Sequence, residues 1–161
     1  MKNLILIRHA KSSWDAPIHD KQRPLAIRGS NDAHKVATSI VNFIPNKNYI
    51  WSSTAKRAKE TAIIFAQNLS WPLESIVFSD ELYTFDGSKL EKCIKSCSDD
   101  YENVIVFGHN EAITEFVNKF GDINIDNVPT SGFVSIQFNA TSWSTITQGK
   151  TIKTLFPRDL K

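Results

Sequence analysis

Read for apolar and polar positions, the chain alternates short continuous apolar runs with longer stretches of helical spacing. Residues 4–7 are unbroken apolar sequence, the mark of a strand covered on both faces, as in a parallel sheet. Pro24 is placed to open a helix. Ala33, Val36, Ala37, Ile40, Val41 and Ile44 then follow at helical spacing, up to a stop at Pro45 and Asn46. Gly29 weakens the first turn of that helix. A short strand over Tyr49–Ser53 leads into a helix at 54–69, and a third strand at 76–78 precedes a helix at 88–97. The fourth apolar run, 104–107, ends in Gly108, His109 and Asn110 before a helix at 111–120.

Strand and helix in alternation predict an α/β fold: a three-layer α/β/α sandwich, with a mostly parallel central sheet and helices on both faces. After Pro129 the pattern changes. "GFVSIQF" and "KTIKTLF" are β-rich segments joined by a polar connection that includes Trp143, and they predict an antiparallel edge to the sheet. No repeat, low-complexity tract or linker interrupts the 161 residues, so one domain over 1–161 is expected.

In an open parallel sheet, ligands bind beyond the carboxyl ends of the strands. The residues just past each strand are therefore the chemical inventory. Arg8 and His9 come after the first; Ser52, Ser53 and, a turn later, Arg57 after the second; Glu81 after the third; Gly108, His109 and Asn110 after the fourth. Two arginine forks can neutralise a phosphate dianion through paired N–H bonds, and helix N-termini after Ser53 and Asn110 add further donors. A neutral imidazole is a competent nucleophile near pH 7, and a glutamate opposite it can protonate a leaving group. Together these groups suit phosphoryl transfer through a histidine, without metal or cofactor. Each piece alone is weak: "RH" is a common dipeptide, and a glutamate after a strand is ordinarily solvated.

Composition changes this picture little. The 41% hydrophobic and 22% charged content is ordinary for a soluble globular protein. The first apolar run is too short for a signal peptide or a membrane span, and no other segment approaches one, so a cytoplasmic protein without a membrane partner is expected. A net charge of +2 suits an anionic substrate, but no basic stripe with interleaved aromatics suggests nucleic acid. In "AKRAKE", Lys56 and Lys59 read as a solvated helix face, while Arg57 belongs to the candidate site. Cys93 and Cys97 lie on one helix face with no second pair to complete a zinc site, so reduced thiols are expected.

The sequence resembles the histidine phosphatase superfamily, with its phosphoglycerate-mutase-like fold, and most of all its short SixA-type phosphohistidine phosphatases. The resemblance is carried by "LIRHA" (6–10), "RPLAIRG" (23–29), "SSTAKRAKET" (52–61), "DELY" (80–83) and "VFGHN" (106–110), and by "TSGF", Trp143 and "FPRDL" toward the end. It implies that His9 is the phosphorylated nucleophile, that Arg8 and Arg57 hold the phosphate, that His109 is the second histidine, and that Glu81 stands where many relatives keep a proton donor. Ala10 departs from the glycine usual at that position. Asn110 and Arg23 are further candidate phosphate contacts, although Arg23 equally suits a surface pairing with Asp20. His19 and His34 are expected to be solvent-facing or structural.

The segment between Glu81 and the next strand holds one short helix, too little for a cap subdomain. An uncapped, shallow site suits a phosphorylated side chain on another protein better than a small sugar that needs enclosure. The expected activity is therefore phosphohistidine hydrolysis on a protein, in a signalling role. The alternatives are a small-molecule phosphomonoesterase of the same superfamily and a phosphate-binding module without turnover. The oligomeric state is open.

Overall fold

A computed structural model describes all residues from Met1 to Lys161. Its centre is a six-stranded sheet in the order β3-β2-β4-β1-β5-β6, built from β1 (Lys2–Arg8), β2 (Tyr49–Ser53), β3 (Ile76–Ser79), β4 (Asn103–Gly108), β5 (Phe133–Phe138) and β6 (Lys150–Leu155). The first four run parallel, whereas β5 pairs antiparallel with β1 and β6 antiparallel with β5. Helices α1 (Ile27–Ser39), α2 (Lys56–Leu69), α3 (Gly87–Lys95) and α4 (Ala112–Phe120) complete the expected mixed α/β architecture.

The continuous apolar runs are explained by burial on both faces, since successive side chains in a strand point to opposite sides. Ile5, Ile7, Ile105 and Phe107 face α1 and α2, in a cluster with Val36, Ala37, Ile40, Ala62 and Phe65. Leu4, Leu6, Val104 and Val106 face α3 and α4, with Leu90, Ile94, Ile113, Phe116 and Val117. Register sets Arg8 beside Gly108 and Ser52 beside Phe107, so the ends of β1, β2 and β4 finish at one level.

Several boundaries differ from the sequence expectation. Pro24 does not open α1. Residues 24–26 are extended: Pro24 accepts from Ser13 N–H, Leu25 bridges to Ser12, and Ala26 donates to the Lys11 carbonyl. Inside α1, Gly29 lies so close to that loop that a Cβ would overlap the Lys11 carbonyl oxygen. The residue that weakens the helix is thus the one that lets it approach. α1 stops at Ser39, leaving Val41 half exposed in a 3-10 turn. Trp143 lies in the polar connection between β5 and β6 as expected, but its side chain is fully buried and its indole N–H donates to the Tyr101 carbonyl at 2.7 Å.

Candidate active site

β1 delivers Arg8 and His9 to the carboxyl edge, and three backbone contacts fix the turn there. His9 N–H donates to the Gly108 carbonyl at 3.0 Å, while Ser131 N–H donates to the carbonyls of Arg8 and His9 at 3.1 and 3.2 Å. Ala10 comes next, with its N–H bonded to Thr61 Oγ1 at 2.9 Å. Its methyl group is fully buried in the cluster under α1 and α2, so this departure from glycine is absorbed by the core.

The His9 ring is 8% exposed, and its Nδ1 stands 2.7 Å from the Ala10 carbonyl oxygen. A carbonyl only accepts, so Nδ1 carries the proton and Nε2 presents its lone pair. Arg57 Nε donates toward that lone pair from 3.4 Å. Burial first, and then the nearby Arg57 and Arg8 charges, push the His9 pKa down to about 4. The ring is therefore neutral over the physiological range.

Two guanidinium groups flank it. Arg57, the second residue of α2 and 5% exposed, donates through Nη1 to the Asp20 carbonyl at 2.8 Å and through Nη2 to Asp20 Oδ2 at 3.0 Å. Arg8 donates through Nη1 to the Val128 carbonyl at 3.0 Å, and its buried Nε has no partner. Burial pulls the Arg8 pKa down, as it must for a cation with poor access to water, and an arriving anion relieves that cost.

His109, at the end of β4, is 1% exposed and lies 5.2 Å from His9, centroid to centroid. Tyr83 and Phe85 pack their rings edge-on against it. Its Nε2 is 2.8 Å from Ser53 Oγ, which also accepts from Ala55 N–H, while the buried Nδ1 has no partner. With Ser53 Oγ accepting from Ala55, its hydroxyl proton is free for His109 Nε2. When that hydroxyl donates to Nε2, Nδ1 carries the ring proton and faces the site as a donor. Burial, then the charges of His9 and Arg57, lower the His109 pKa to about 2.

Three sequence candidates sit differently from expectation. Glu81 is exposed and accepts from the Cys93 thiol at 3.7 Å, turned toward α3. Burial and Glu81 together push that thiol up to about 12. The carboxylate that joins the site is Asp20, paired with Arg57 beside His9. Asn110 has both ends of its amide occupied: Oδ1 accepts from Thr114 N–H and Oγ1–H, and Nδ2 donates to Asn127 Oδ1 and the Val128 carbonyl. It braces the loop behind Arg8 rather than presenting a free donor. Arg23 neither pairs with Asp20 nor turns inward. It stacks 3.6 Å over the Trp14 ring and donates to the Ala16 carbonyl at 3.3 Å. His19 and His34 are exposed.

Sequence reasoning gave Asp20 and Tyr83 no primary role. Tyr83 donates its hydroxyl to Asp20 Oδ2 at 2.5 Å, in a chain Tyr83–Asp20–Arg57–His9. Burial raises the Asp20 pKa, but the hydrogen bonds from Tyr83 and Arg57 outweigh it and hold the carboxyl below its usual value. The signal in the sequence was the acidic residue just before "RPL", in a loop that must return past Arg57. No group of three or more His, Cys, Asp or Glu side chains is arranged to hold a metal ion.

Comparison with known proteins places this constellation in a family. The model of the histidine phosphatase superfamily (branch 1) matches residues 4–93, more than half of the chain. The chain belongs to that superfamily. It is accordingly a hydrolase of the phosphatase type. An uncharacterized chloroplastic protein of Arabidopsis thaliana is 31% identical over 88% of this chain and 69% of its own length. A solved structure described as SixA from Agrobacterium tumefaciens is 24% identical, with a TM-score of 0.78 and coverage of 96% of this chain and 97% of that one. The protein histidine phosphatase SixA complexed with tungstate is 20% identical, with a TM-score of 0.82 and 99% coverage of both chains. These two likenesses establish the shared fold. No helix is long and apolar enough to cross a membrane.

Proposed function

We propose that the protein is a metal-independent phosphohistidine phosphatase, built as one domain over 1–161, that passes the phosphoryl group through His9. The observation that carries this reading is the His9 tautomer. With Nδ1–H held by the Ala10 carbonyl at 2.7 Å, the lone pair of Nε2 is directed into the space between the cations. A module that only binds phosphate has no need of a neutral, oriented imidazole there.

In this mechanism Arg8, Arg57 and His109 Nδ1–H grip the phosphoryl oxygens. His9 Nε2 attacks phosphorus in line; the Nε2–P bond forms as the bond from phosphorus to the substrate nitrogen breaks. The departing imidazole keeps the electron pair, and a proton already on its other nitrogen leaves it neutral. Water then attacks the phosphorylated His9. The P–Nε2 bond breaks, its electron pair returns to Nε2, and the water proton passes to Asp20 or to the departing phosphate. The arginines act chiefly on charge developing in the transition state.

A protein substrate is favoured by the short connection between β3 and β4. Between β3 and β4 the chain forms only a 3-10 turn at Asp80–Leu82 and α3, with no inserted roof over His9. The phosphohistidine phosphatase and protein histidine phosphatase names borne by the two SixA structures support the same assignment, and a cytoplasmic signalling role is part of the proposal. A small phosphomonoester is the second reading, favoured by the presence of a carboxylate, Asp20, seated on Arg57 beside His9. Initial rates on phosphohistidine peptides and on common phosphomonoesters, compared under one set of conditions, test the assignment. The peptides are expected to win in kcat/KM; a clear preference for one phosphomonoester would replace it.

A further inference from the structure

A groove of about 350 Å³ runs beside the candidate active site, lined by Arg28 and Lys35 of α1, by Arg158 and Lys161 after β6, and by Thr130. The only acidic side chain lining it is Asp32. None of the four cations is within ion-pair distance of a carboxylate, because every salt bridge in the structure lies elsewhere. The groove and His9 share one edge of the sheet: β6 runs parallel to β1, so Pro157 and Arg158 emerge at the level of His9. Its walls also meet the catalytic turn directly. Thr130 precedes Ser131, whose N–H holds the carbonyls of Arg8 and His9, and Arg28 precedes Gly29, which abuts Lys11. Two residues of chain between His9 and Lys11 correspond to about 7 Å at most.

A phosphoryl group is already met by Arg8, Arg57 and His109, so these four cations are surplus to it. They are too exposed to stabilise the fold by themselves, Arg158 resting only over the Phe156 ring at 4.9 Å, and four cations against one carboxylate leave the groove with an excess of positive charge. Large apolar side chains are also exposed at the start of α1 and on the loop after β1. Ile27, beside Arg28, is 84% exposed, and Trp14, on the loop after β1, is 69% exposed. Arg28 and Lys35 stand two turns apart, about 10 Å along α1, so the cations line a length of surface that suits an extended acidic segment rather than a small polyanion.

We propose that this groove docks an acidic segment of the phosphorylated protein substrate, holding it while its phosphohistidine enters the pocket of His9. This inference rests on the phosphohistidine reading for the identity of the partner, but docking itself is measurable without catalysis. The groove steers encounter and lowers KM; it takes no part in bond breaking.

The test is fluorescence anisotropy of the full chain with a short labelled peptide rich in Asp and Glu, against a control with Asn and Gln at the same positions. The acidic peptide is expected to bind, the control not. Arg28→Glu with Arg158→Glu should weaken binding about tenfold or more, as should raising salt well above physiological strength. Asp32→Asn should tighten it, a gain that misfolding cannot produce. Hydrolysis of p-nitrophenyl phosphate should be the same in wild type and the double variant. Equal binding of both peptides, or acidic binding untouched by the reversal, overturns the docking proposal. If docking behaves as expected but acidic phosphohistidine peptides are not hydrolysed, the substrate reading fails and the docking site stands.

Discussion

Arg57 gives both outer nitrogens of its guanidinium to one residue, donating to Asp20 Oδ2 at 3.0 Å and to the Asp20 carbonyl at 2.8 Å. Only Nε is left for His9 Nε2. A phosphoryl group entering between Arg57 and His9 therefore meets a carboxylate already seated on its binding fork. Asp20→Asn removes the competing charge and keeps the shape. Phosphate should bind about three- to tenfold tighter, the scale of one partly exposed ion pair. Isothermal titration calorimetry with inorganic phosphate measures this, and weaker binding would mean that Asp20 only pins its loop.

The same residue separates the candidate acids. Glu81 is turned toward Cys93, whereas Asp20 is paired with Arg57 beside His9. Asp20 is held ionised by Tyr83 and Arg57. It can serve an alkoxide leaving group as an acid only once the arriving phosphoryl dianion displaces it from Arg57 and raises its pKa. Asp20→Asn should then slow phosphorylation of His9 by a phosphomonoester by about 10²–10⁴. Phosphorylation by a phosphohistidine peptide, whose leaving imidazole needs less help, should slow much less. Glu81→Gln should leave both rates nearly unchanged. Rapid-quench measurement of each first turnover decides it; a large loss in Glu81→Gln would restore Glu81 as the donor.

The clamp is a matter of geometry as well as charge. Arg8→Ala and Arg57→Ala should each cost about 10²–10³ in kcat/KM. Lysine at either position should recover only part, because an ammonium cannot make the two-pronged contact. A fully active Arg57→Lys variant would reduce Arg57 to a source of attraction at long range.

Acid should destabilise the fold through the buried histidines. The pKa of His9 is lowered from 6.5 to about 4, and that of His109 from 6.5 to about 2. In both, the unfolded chain binds the proton more readily than the folded one. Their stabilisation is complete above about pH 6.5 and is lost as pH falls toward 4, at about 1.4 kcal/mol per pH unit for each proton taken up on unfolding. Urea unfolding at stepped pH should show this slope, and His9→Gln should reduce it. A flat profile between pH 7 and 4 would show that neither ring is held neutral.

Much of the site was legible in the chain because the strands carry it. The apolar runs at 4–7 and 104–107 end in Arg8–His9 and Gly108–His109, and parallel pairing with matched register brings those ends together. The hidden part depends on loops and long-range contacts. Asp20 reaches the site only because residues 24–26 pair with the strand-end loop at Ser12 and Ser13, which also moves the start of α1 past Pro24. Glu81, Asn110 and Arg23 stand at the expected places in the chain, but their side chains are engaged by Cys93, by Thr114 and Asn127, and by Trp14. Spacing finds positions; it does not find rotamers.

Gly29 ties fold to site. A methyl group at this position would overlap the Lys11 carbonyl, two residues from His9. Gly29→Ala should cost about 1–3 kcal/mol, as overpacking does, and should lower activity by displacing the His9 turn. Thermal unfolding and kcat/KM on the same preparation check both effects. An Ala variant as stable and active as wild type would mean that α1 shifts away without disturbing the turn.

The central claim is that His9 Nε2 carries the phosphoryl group between substrate and water. The most direct measurement mixes enzyme with ³²P-labelled phosphohistidine peptide, quenches in base within the first turnover, and maps the labelled residue by mass spectrometry. The expected result is stoichiometric, acid-labile phosphate on His9, formed at least as fast as steady-state turnover and absent in His9→Ala. Sustained hydrolysis by His9→Ala, or turnover without label on His9 in wild type, would contradict it.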